Sequence, residues 1–291
     1  MTTDSASMNT VTGDDSVDAF CRPNLRDRSP RDLRILESAQ PLHFTRRQFL
    51  RHGGLGDPEG RGVEGPPIHI AAYAWGDPAW PAVTLAHGWE MQAGRLGRLV
   101  EPLLARGFRV IGVDLPAHGA SEGELLNVVD AAATLREAAA LAGNCVAGIG
   151  HSFGGLSTLW LAAHAPPPGW RAVVTLGASS GPAYPLRQTA KAMQWDAART
   201  ADFERAFERR FGASIDQFTI SRWGERIALP TLLFHDRQDA VIGFDEAEAI
   251  TAAVPGSRLV ETQGLGHISL TRNADIAEQV ADFLAAIINP R

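Results

Sequence analysis

The sequence has few cysteines and no long apolar run, and both shortages limit what the chain can be. Cys21 lies in a polar N-terminal region and Cys145 in an apolar run, so we expect no structural disulfide between them. No apolar stretch is long enough to cross a bilayer, so we expect no membrane span. A chain with few cysteines and no disulfide is typical of a reducing compartment, and we expect the protein to be cytoplasmic.

Basic residues are not in excess, and no segment is dominated by Lys or Arg. The 291 residues carry a formal net charge of -6. Nucleic acids and anionic membranes bind proteins through basic patches, so neither is an expected partner. The sequence also has no His-x-x-x-His pair and no phosphate-binding loop, so we expect neither a metal site nor a cofactor.

The segment "TRRQFLR", which contains Arg46 and Arg47, resembles a twin-arginine export signal. Such a signal is followed directly by an apolar region, whereas residues 52–60 here are polar and rich in glycine. The arginine pair also lies far from the N-terminus. We therefore expect it to belong to an early strand or a solvated segment and not to an export signal.

The first part of the chain lacks the regular patterns of the rest. Residues 1–28 are rich in small polar residues and poor in large apolar ones, which predicts a disordered or loosely attached segment over residues 1–40. Within that segment, Ser29 and Pro30 suit the start of a short helix that extends through Leu36.

From Ile68 onward, short apolar strands alternate with segments of helical spacing. This alternation predicts an α/β fold with a mostly parallel central sheet flanked by helices. We expect residues 41–178 and 229–291 to form the core. Residues 179–228 have no strand pattern and predict a small helical cap inserted into that core.

Three phenylalanines in this insertion, Phe203, Phe207 and Phe211, lie four residues apart and share one face of a predicted helix. We expect this stripe mainly to attach the cap to the core. Met193 and Trp195 lie earlier in the insertion and are expected to face a substrate pocket, because the walls of ligand sites are mostly apolar.

Ser152 lies in "GIGHSFGG", between the apolar strand "CVAGIG" and the helix-like run "GGLSTLWLAAHA". A Gly-x-Ser-x-Gly turn between a strand and a helix is the context of a nucleophile elbow, because glycine permits the sharp turn that exposes the serine. In an open parallel sheet, functional groups gather at the carboxyl ends of the strands, where this turn lies. We predict Ser152 to be a nucleophile; the alternative is a tight turn in which small residues simply fit.

Several polar segments surround this serine in the predicted sheet. They are His87–Trp89, Asp114–Ser121, Gly150–Gly155, His235–Asp239 and Gly266–His267. On these segments, and over nearly all of residues 68–288, the chain resembles the α/β-hydrolase superfamily, including its chain order Ser, Asp, His. The resemblance implies a Ser-His-Asp triad that forms an acyl-enzyme, with His267 as the base because it follows the last strand.

The acid of the triad is less clearly marked than the base. The resemblance points to Asp239, but Asp236 follows the same strand, where the family usually has glycine, so we predict Asp239 and keep Asp236 as the alternative. His87 and His118 lie where the family usually has structural histidines. His151 is adjacent to the nucleophile, and because adjacent side chains point apart at a sharp turn we do not expect it to be the base. We predict His151 to be a substrate-binding residue.

The resemblance also implies backbone N–H donors for the oxyanion. One belongs to Phe153, directly after the nucleophile, and the other to Trp89, directly after the strand that ends in His87 and Gly88. The indole of Trp89 is expected to line the pocket for the acyl group.

Serine at the elbow argues against haloalkane dehalogenases and epoxide hydrolases, which by resemblance have Asp there. "HGWEMQ" and the small insertion resemble aryl esterases and the cofactor-free perhydrolases related to them. We predict a carboxylic ester hydrolase that acts on a small-molecule ester or acyl compound. Lactonases, thioesterases, carbon–carbon bond hydrolases and perhydrolases share these residues, and a catalytically silent ligand-binding member of the fold is the alternative from another class. The sequence leaves a homo-oligomer open.

Overall fold

The computed structural model describes residues 13–24, 27–51 and 63–288, without the side chains of residues 49–51 and 63–64. The prediction of disorder for residues 1–12 and the glycine-rich stretch 52–60 therefore lie outside the described residues.

In the described part of the chain, one sheet of eight strands forms the centre of the molecule. The strands are β1 (Gln40–Arg51), β2 (Val63–Trp75), β3 (Ala82–Ala86), β4 (Arg109–Val113), β5 (Cys145–His151), β6 (Ala172–Leu176), β7 (Thr231–Asp236) and β8 (Arg258–Thr262). Their spatial order is β1-β2-β4-β3-β5-β6-β7-β8. β2 is antiparallel to both of its neighbours, and from β4 to β8 all pairs are parallel. The predicted mostly parallel sheet is confirmed.

Helices connect the strands and cover both faces of the sheet. The α-helices are α1 (Asp14–Cys21), α2 (Pro30–Glu37), α3 (Val100–Ala105), α4 (Val128–Ala142), α5 (Phe153–His164), α6 (Ala183–Ala192), α7 (Ala197–Phe211), α8 (Phe244–Ala253), α9 (Gly266–Ser269) and α10 (Ala274–Ile288). A 3₁₀ helix, Ala93–Leu99, precedes α3, and three shorter ones, Ile215–Phe218, Ile220–Arg222 and Gly224–Arg226, follow α7.

The core consists of two apolar layers, one on each face of the sheet. Ala82 and Ala86 of β3 belong to one layer and Val83 and Leu85 to the other, because successive side chains of a strand point to opposite faces. Helices α4 and α5 cover the first layer, and α3 and α10 cover the second. The strands from β3 to β7 are thus buried on both faces, which accounts for their short, almost continuously apolar sequences.

The segment between β6 and β7 contains helices and no strand among its described residues, as predicted. Asp196 caps the start of helix α7, where its side chain accepts a hydrogen bond from the Arg199 N–H at 2.7 Å, and Gly212 in the left-handed conformation caps its end. The three phenylalanines of α7 lie buried on one face, and the charged residues Glu204, Arg205, Glu208 and Arg209 between them are exposed. The predicted phenylalanine face is therefore confirmed.

The described residues before Gln40 correct the prediction of a loosely attached segment. Helix α2 starts as expected, with the Ser29 hydroxyl accepting a hydrogen bond from the Asp32 N–H at 3.2 Å. Helix α1 was not expected, yet its Val17 and Cys21 are buried in the first apolar layer. The physical reason is the amphipathic pattern of α1, in which a few apolar side chains on one face are enough to dock a short helix although its composition is polar.

The arginine pair lies within β1. The Arg46 side chain is buried and forms an ion pair with Asp130 of α4 and a longer one, of 3.4 Å, with Glu137. Moving β1 away from α4 would leave both buried charges uncompensated, which is costly. The ion pair therefore anchors the edge of the sheet to α4. In the described residues, no helix combines the length and the apolar character that crossing a membrane requires.

Candidate active site

Ser152 lies at the turn between β5 and α5, where the backbone is strained. Its φ of 53° and ψ of -119° lie in a region that non-glycine residues rarely occupy. The Ser152 N–H donates a hydrogen bond of 2.9 Å to the Leu176 carbonyl at the end of the neighbouring β6. The turn thus projects the serine beyond the carboxyl ends of β5 and β6.

Two of the glycines around Ser152 are required by close contacts between backbones. A Cβ atom at Gly150 would lie 2.3 Å from the Gly154 carbonyl oxygen. A Cβ atom at Gly154 would lie 2.4 Å from the carbonyl oxygens of both Ala86 and His87. Helix α5 can therefore start directly against the end of β3, which brings the loop after β3 to the serine.

His267 and Asp239 are paired at the carboxyl ends of the last two strands. Asp239 follows β7, His267 lies in α9 just after β8, and His267 Nδ1 is 2.7 Å from Asp239 Oδ2. The other carboxylate oxygen of Asp239 accepts hydrogen bonds of 2.9 Å from the N–H groups of Val241 and Ile242. Burial raises the pKa of Asp239, but His267 and these backbone donors lower the pKa by more than burial raises it. The pKa of Asp239 therefore lies below its usual value.

This pair lies next to the elbow in the fold. Gly177 directly follows the residue that binds the Ser152 N–H, and a Cβ atom there would lie 3.2 Å from His267 Nδ1 and 3.4 Å from Asp239 Oδ2. Ser152, Asp239 and His267, which are far apart in sequence, are thus gathered at one edge of the sheet.

Asp236, the alternative acid, has different partners. Its Oδ2 accepts hydrogen bonds from the Thr262 hydroxyl at 2.8 Å and from the Leu265 N–H at 3.0 Å, and its Oδ1 accepts one from the Gln238 N–H at 3.0 Å. These bonds outweigh the effect of burial and lower the pKa of Asp236. Asp236 therefore ties the end of β7 to the loop that carries His267, a positioning role that the sequence analysis did not assign to it.

His151 is fully buried and packs against His267 instead of facing a pocket. Its ring centroid lies 4.6 Å from that of His267, and its Nε2 is 3.1 Å from the His267 carbonyl oxygen. Burial lowers the pKa of His151 to about 3, so the ring is neutral and Nε2 donates this bond. The predicted substrate-binding role of His151 is corrected, because His151 is not among the residues that line the cavity of Ser152.

His87 and His118 hold the loops beside the elbow. The Nε2 atom of His87 accepts a hydrogen bond of 3.0 Å from the Leu115 N–H, and that of His118 accepts one of 3.0 Å from the Glu90 N–H. Burial lowers the pKa of His87 to about 4 and that of His118 to about 3. Both rings are therefore neutral acceptors that fix the loop carrying Trp89.

Trp89, Ser152 and Phe153 line one apolar cavity of about 90 Å³. The rings of Trp89 and Phe153 meet edge to face with centroids 5.4 Å apart. The Phe153 N–H is the first of helix α5 and has no intrahelical partner, as is usual at a helix start. The two residues predicted to supply oxyanion donors are thus neighbours of the serine.

The helical segment contributes other side chains to this cavity than the sequence predicted. Phe207 and Phe211 line it, whereas Met193 and Trp195 lie outside it. Trp195 instead packs on Phe203, with ring centroids 5.6 Å apart. The predicted pocket role of Met193 and Trp195 is corrected because α7 begins only after Trp195 and turns its phenylalanine face to the cavity.

Phe20 and Cys21 of helix α1 also line the cavity, although neither is among the predicted site residues. The available signal was weak, since it consists of a few apolar residues at helical spacing within a polar stretch. In the described residues, no group of three or more His, Cys, Asp or Glu side chains is arranged to hold a metal ion.

Comparison with known proteins identifies relatives of this fold. The model of the alpha/beta hydrolase family matches residues 85–280. The human serine hydrolase-like protein is 39% identical over 93 residues, which are 30% of this chain and 45% of that protein. The chain thus matches less than half the length of this relative.

Two solved structures share the fold at low sequence identity. Paleococcus ferrophilus monoacylglycerol lipase has a TM-score of 0.58 and 20% identity over 75% of this chain and 98% of its own. Est1E from Butyrivibrio proteoclasticus, solved with ferulic acid bound, has a TM-score of 0.59 and 18% identity over 76% of this chain and 96% of its own. At this level of identity the likeness concerns the fold alone.

Proposed function

We propose, from the premise that this chain belongs to the alpha/beta hydrolase family, that it hydrolyses carboxylic esters through an acyl-enzyme on Ser152. The strongest support is the 2.7 Å contact between Asp239 and His267 beside the strained turn of Ser152. An ionised Asp239 keeps the proton of neutral His267 on Nδ1, which leaves Nε2 free to accept a proton. His267 is the proposed base and Asp239 the residue that orients it.

In the proposed acylation step, Ser152 Oγ attacks the ester carbonyl carbon while His267 Nε2 takes the hydroxyl proton. The carbonyl oxygen becomes an oxyanion, for which the N–H groups of Trp89 and Phe153 are the proposed donors. The tetrahedral intermediate then breaks its bond to the alcohol oxygen, and the alcohol leaves with the proton from His267.

Deacylation follows the same route with water as the nucleophile. His267 takes a proton from the attacking water, and the second tetrahedral intermediate breaks its bond to Ser152 Oγ. The proton returns to the serine and the carboxylic acid is released. The two steps together consume one ester and one water molecule and release one alcohol and one carboxylic acid.

The cavity supports a short, uncharged acyl group as the preferred substrate part. Its wall consists largely of aromatic and aliphatic side chains, and about 90 Å³ is small for a long acyl chain. Because Phe207 and Phe211 belong to that wall, we propose residues 179–228 as a cap over a core of residues 41–178 and 229–291. We expect p-nitrophenyl acetate and butyrate to be hydrolysed faster than long-chain esters.

A fluorophosphonate probe together with p-nitrophenyl esters tests this function. The wild-type chain should be labelled and active, and Ser152→Ala should lose labelling and at least about 10³-fold in kcat. Ser157→Ala is the matched control, since it removes a buried serine of the adjacent helix α5 that lies outside the cavity. Labelling that persists in Ser152→Ala would contradict the mechanism, and turnover of thioesters or lactones but not esters would contradict the substrate class.

A further inference from the structure

The residues before the core reach the candidate active site. We call residues 14–24, which comprise helix α1 and the three residues after it, the N-terminal strap. Phe20 and Cys21 of this strap line the same cavity as Ser152, together with Phe207 and Phe211 of α7. Cys21 and Ser152, which are about 130 residues apart in the sequence, therefore contribute to one cavity wall.

The strap is packed on α7 by apolar contacts. The rings of Phe20 and Phe203 meet edge to face with centroids 5.4 Å apart. Val17 and Cys21 are buried in the apolar layer that also contains the phenylalanines of α7. Burial raises the pKa of the Cys21 thiol to about 12, so this side chain is neutral and acts as a small apolar part of the wall.

Opposite charges hold the strap in the same position. Asp18 is 2.8 Å from Arg210 and Asp14 is 3.7 Å from Arg209, so acidic residues of α1 meet the basic last turn of α7. The Arg210 side chain is largely buried in this contact, which makes the pair less screened by solvent than an exposed one.

The other end of the strap is bound to the core domain near the elbow. The Cys21 carbonyl oxygen accepts a hydrogen bond of 2.8 Å from the N–H of Leu126, which also lines the cavity. Asn24 donates to the carboxylate of Glu90, directly after Trp89, at 3.2 Å. The strap thus connects α7 to the loops around Ser152 and is supported at both ends.

We propose that the N-terminal strap is the specificity wall of the acyl pocket and that Phe20 limits the length of the acyl group that the pocket admits. This inference rests on the proposed ester hydrolysis at Ser152. A phenylalanine in the wall of an apolar cavity excludes additional methylenes sterically, and each methylene in an apolar pocket changes the ratio of kcat/KM between two substrates by about 10-fold or more. The segment that determines substrate length is therefore remote from the sequence motifs of the active site.

The test is a series of p-nitrophenyl esters from acetate to decanoate, hydrolysed by the wild type, Phe20→Ala and Phe283→Ala. In Phe20→Ala we expect kcat/KM for octanoate relative to acetate to rise by about 10-fold or more. Phe283 is a partly buried phenylalanine of α10 on the other face of the sheet, so Phe283→Ala should keep the wild-type profile. If Phe20→Ala does not fold, Phe20→Leu is the variant to use, with a smaller shift in the same direction.

The ion pair provides a second, independent measurement. Asp18→Arg and Arg210→Asp should each raise kcat/KM for long-chain esters relative to acetate. The double variant, which restores opposite charges, should return this ratio toward the wild-type value. Such a rescue depends on docking of the strap and is not expected from a general loss of stability.

The outcomes separate this inference from the function on which it rests. If the wild type hydrolyses no ester, the proposed function is wrong and the strap has no acyl pocket to define. If the wild type is active and the profile of Phe20→Ala or Phe20→Leu coincides with that of Phe283→Ala, the inference is overturned while ester hydrolysis stands.

Discussion

The two sides of the candidate active site are built in different ways. On one side, Asp239, His267 and the residues around them lie in short loops at the ends of β7 and β8 and are joined by hydrogen bonds of 2.7–3.0 Å. On the other side, part of the cavity wall comes from α1 and α7, which meet through apolar packing and two ion pairs. Hydrogen bonds fix the positions of the polar groups at the strand ends. Apolar side chains between packed helices, in contrast, can be substituted by other apolar residues of similar volume.

The difference suggests a division of labour between chemistry and specificity. A proton relay needs atoms within hydrogen-bond reach, so the polar side has little freedom. A wall that selects a substrate by size needs only volume, so it can be built from residues of a distant segment such as Phe20. The following predictions test this division.

The largest effect should come from Asp239→Asn. The amide cannot orient and stabilise a protonated His267 as the carboxylate does, so we expect kcat to fall by about 10³- to 10⁴-fold. Asp236→Asn should retain much more of kcat and instead lower the free energy of unfolding by about 1–3 kcal/mol, because Asp236 only holds the loop of His267. Ester kinetics and urea unfolding of both variants check this, and the reverse ranking in kcat would give the acid role to Asp236.

The next largest effect should come from acid, which should lower the free energy of unfolding through three buried histidines. In the unfolded chain His87, His118 and His151 titrate near their usual pKa of about 6.5, whereas burial lowers the folded pKa values to about 4, 3 and 3. Below pH 6.5 the unfolded chain therefore binds protons that the folded chain does not. Each histidine should reduce the free energy of unfolding by about 1.4 kcal/mol per pH unit until its folded pKa is reached.

Urea unfolding between pH 7 and pH 4.5 measures this slope. His118→Gln keeps a donor and an acceptor but cannot titrate, so the slope should become shallower by about 1.4 kcal/mol per pH unit. A free energy of unfolding that does not change over this range would show that the three rings are protonated in the folded chain.

The smallest effects should come from substitutions in the helical segment, and a residue of the cavity wall should matter more than one outside it. Phe207→Ala enlarges the cavity and should change the ratio of kcat/KM between butyrate and octanoate esters by about 10-fold. Trp195→Ala removes a ring that lies outside the cavity and should change this ratio by no more than about 2-fold, within the range of surface effects. If both variants changed this ratio equally, the side chains that line the cavity would have no special influence on substrate length.

The sequence was most informative where structure is determined locally. The elbow at Ser152 could be predicted because a strand, a glycine-flanked turn and a helix follow one another within "CVAGIGHSFGGLS", and backbone contacts at Gly150 and Gly154 permit no side chain. Asp239 was predicted by resemblance, but Asp236 stayed an alternative because both follow the same strand, and their partners across space distinguish them.

The parts that could not be predicted depend on contacts between distant segments. Helix α1 has a polar composition and is held by α7, so the few apolar residues within 14–21 indicate a helix face but not the cavity that this face reaches. Phe207 and Phe211 were predicted on the correct helix face, but which partner that face meets depends on where α7 starts. Burial of Arg46 in β1 likewise depends on Asp130, which lies 84 residues further along the chain.

The strained backbone at Ser152 has a consequence for how this chain can change over evolutionary time. A non-glycine residue in this conformation costs about 1–3 kcal/mol, a sizeable part of the 5–15 kcal/mol by which proteins are usually stable. Glycine would remove that cost, so selection for thermal robustness alone favours losing the hydroxyl. Retention of serine at this position therefore requires a selective benefit that exceeds the stability it sacrifices, and efforts to make the protein more heat-resistant should leave residue 152 unchanged.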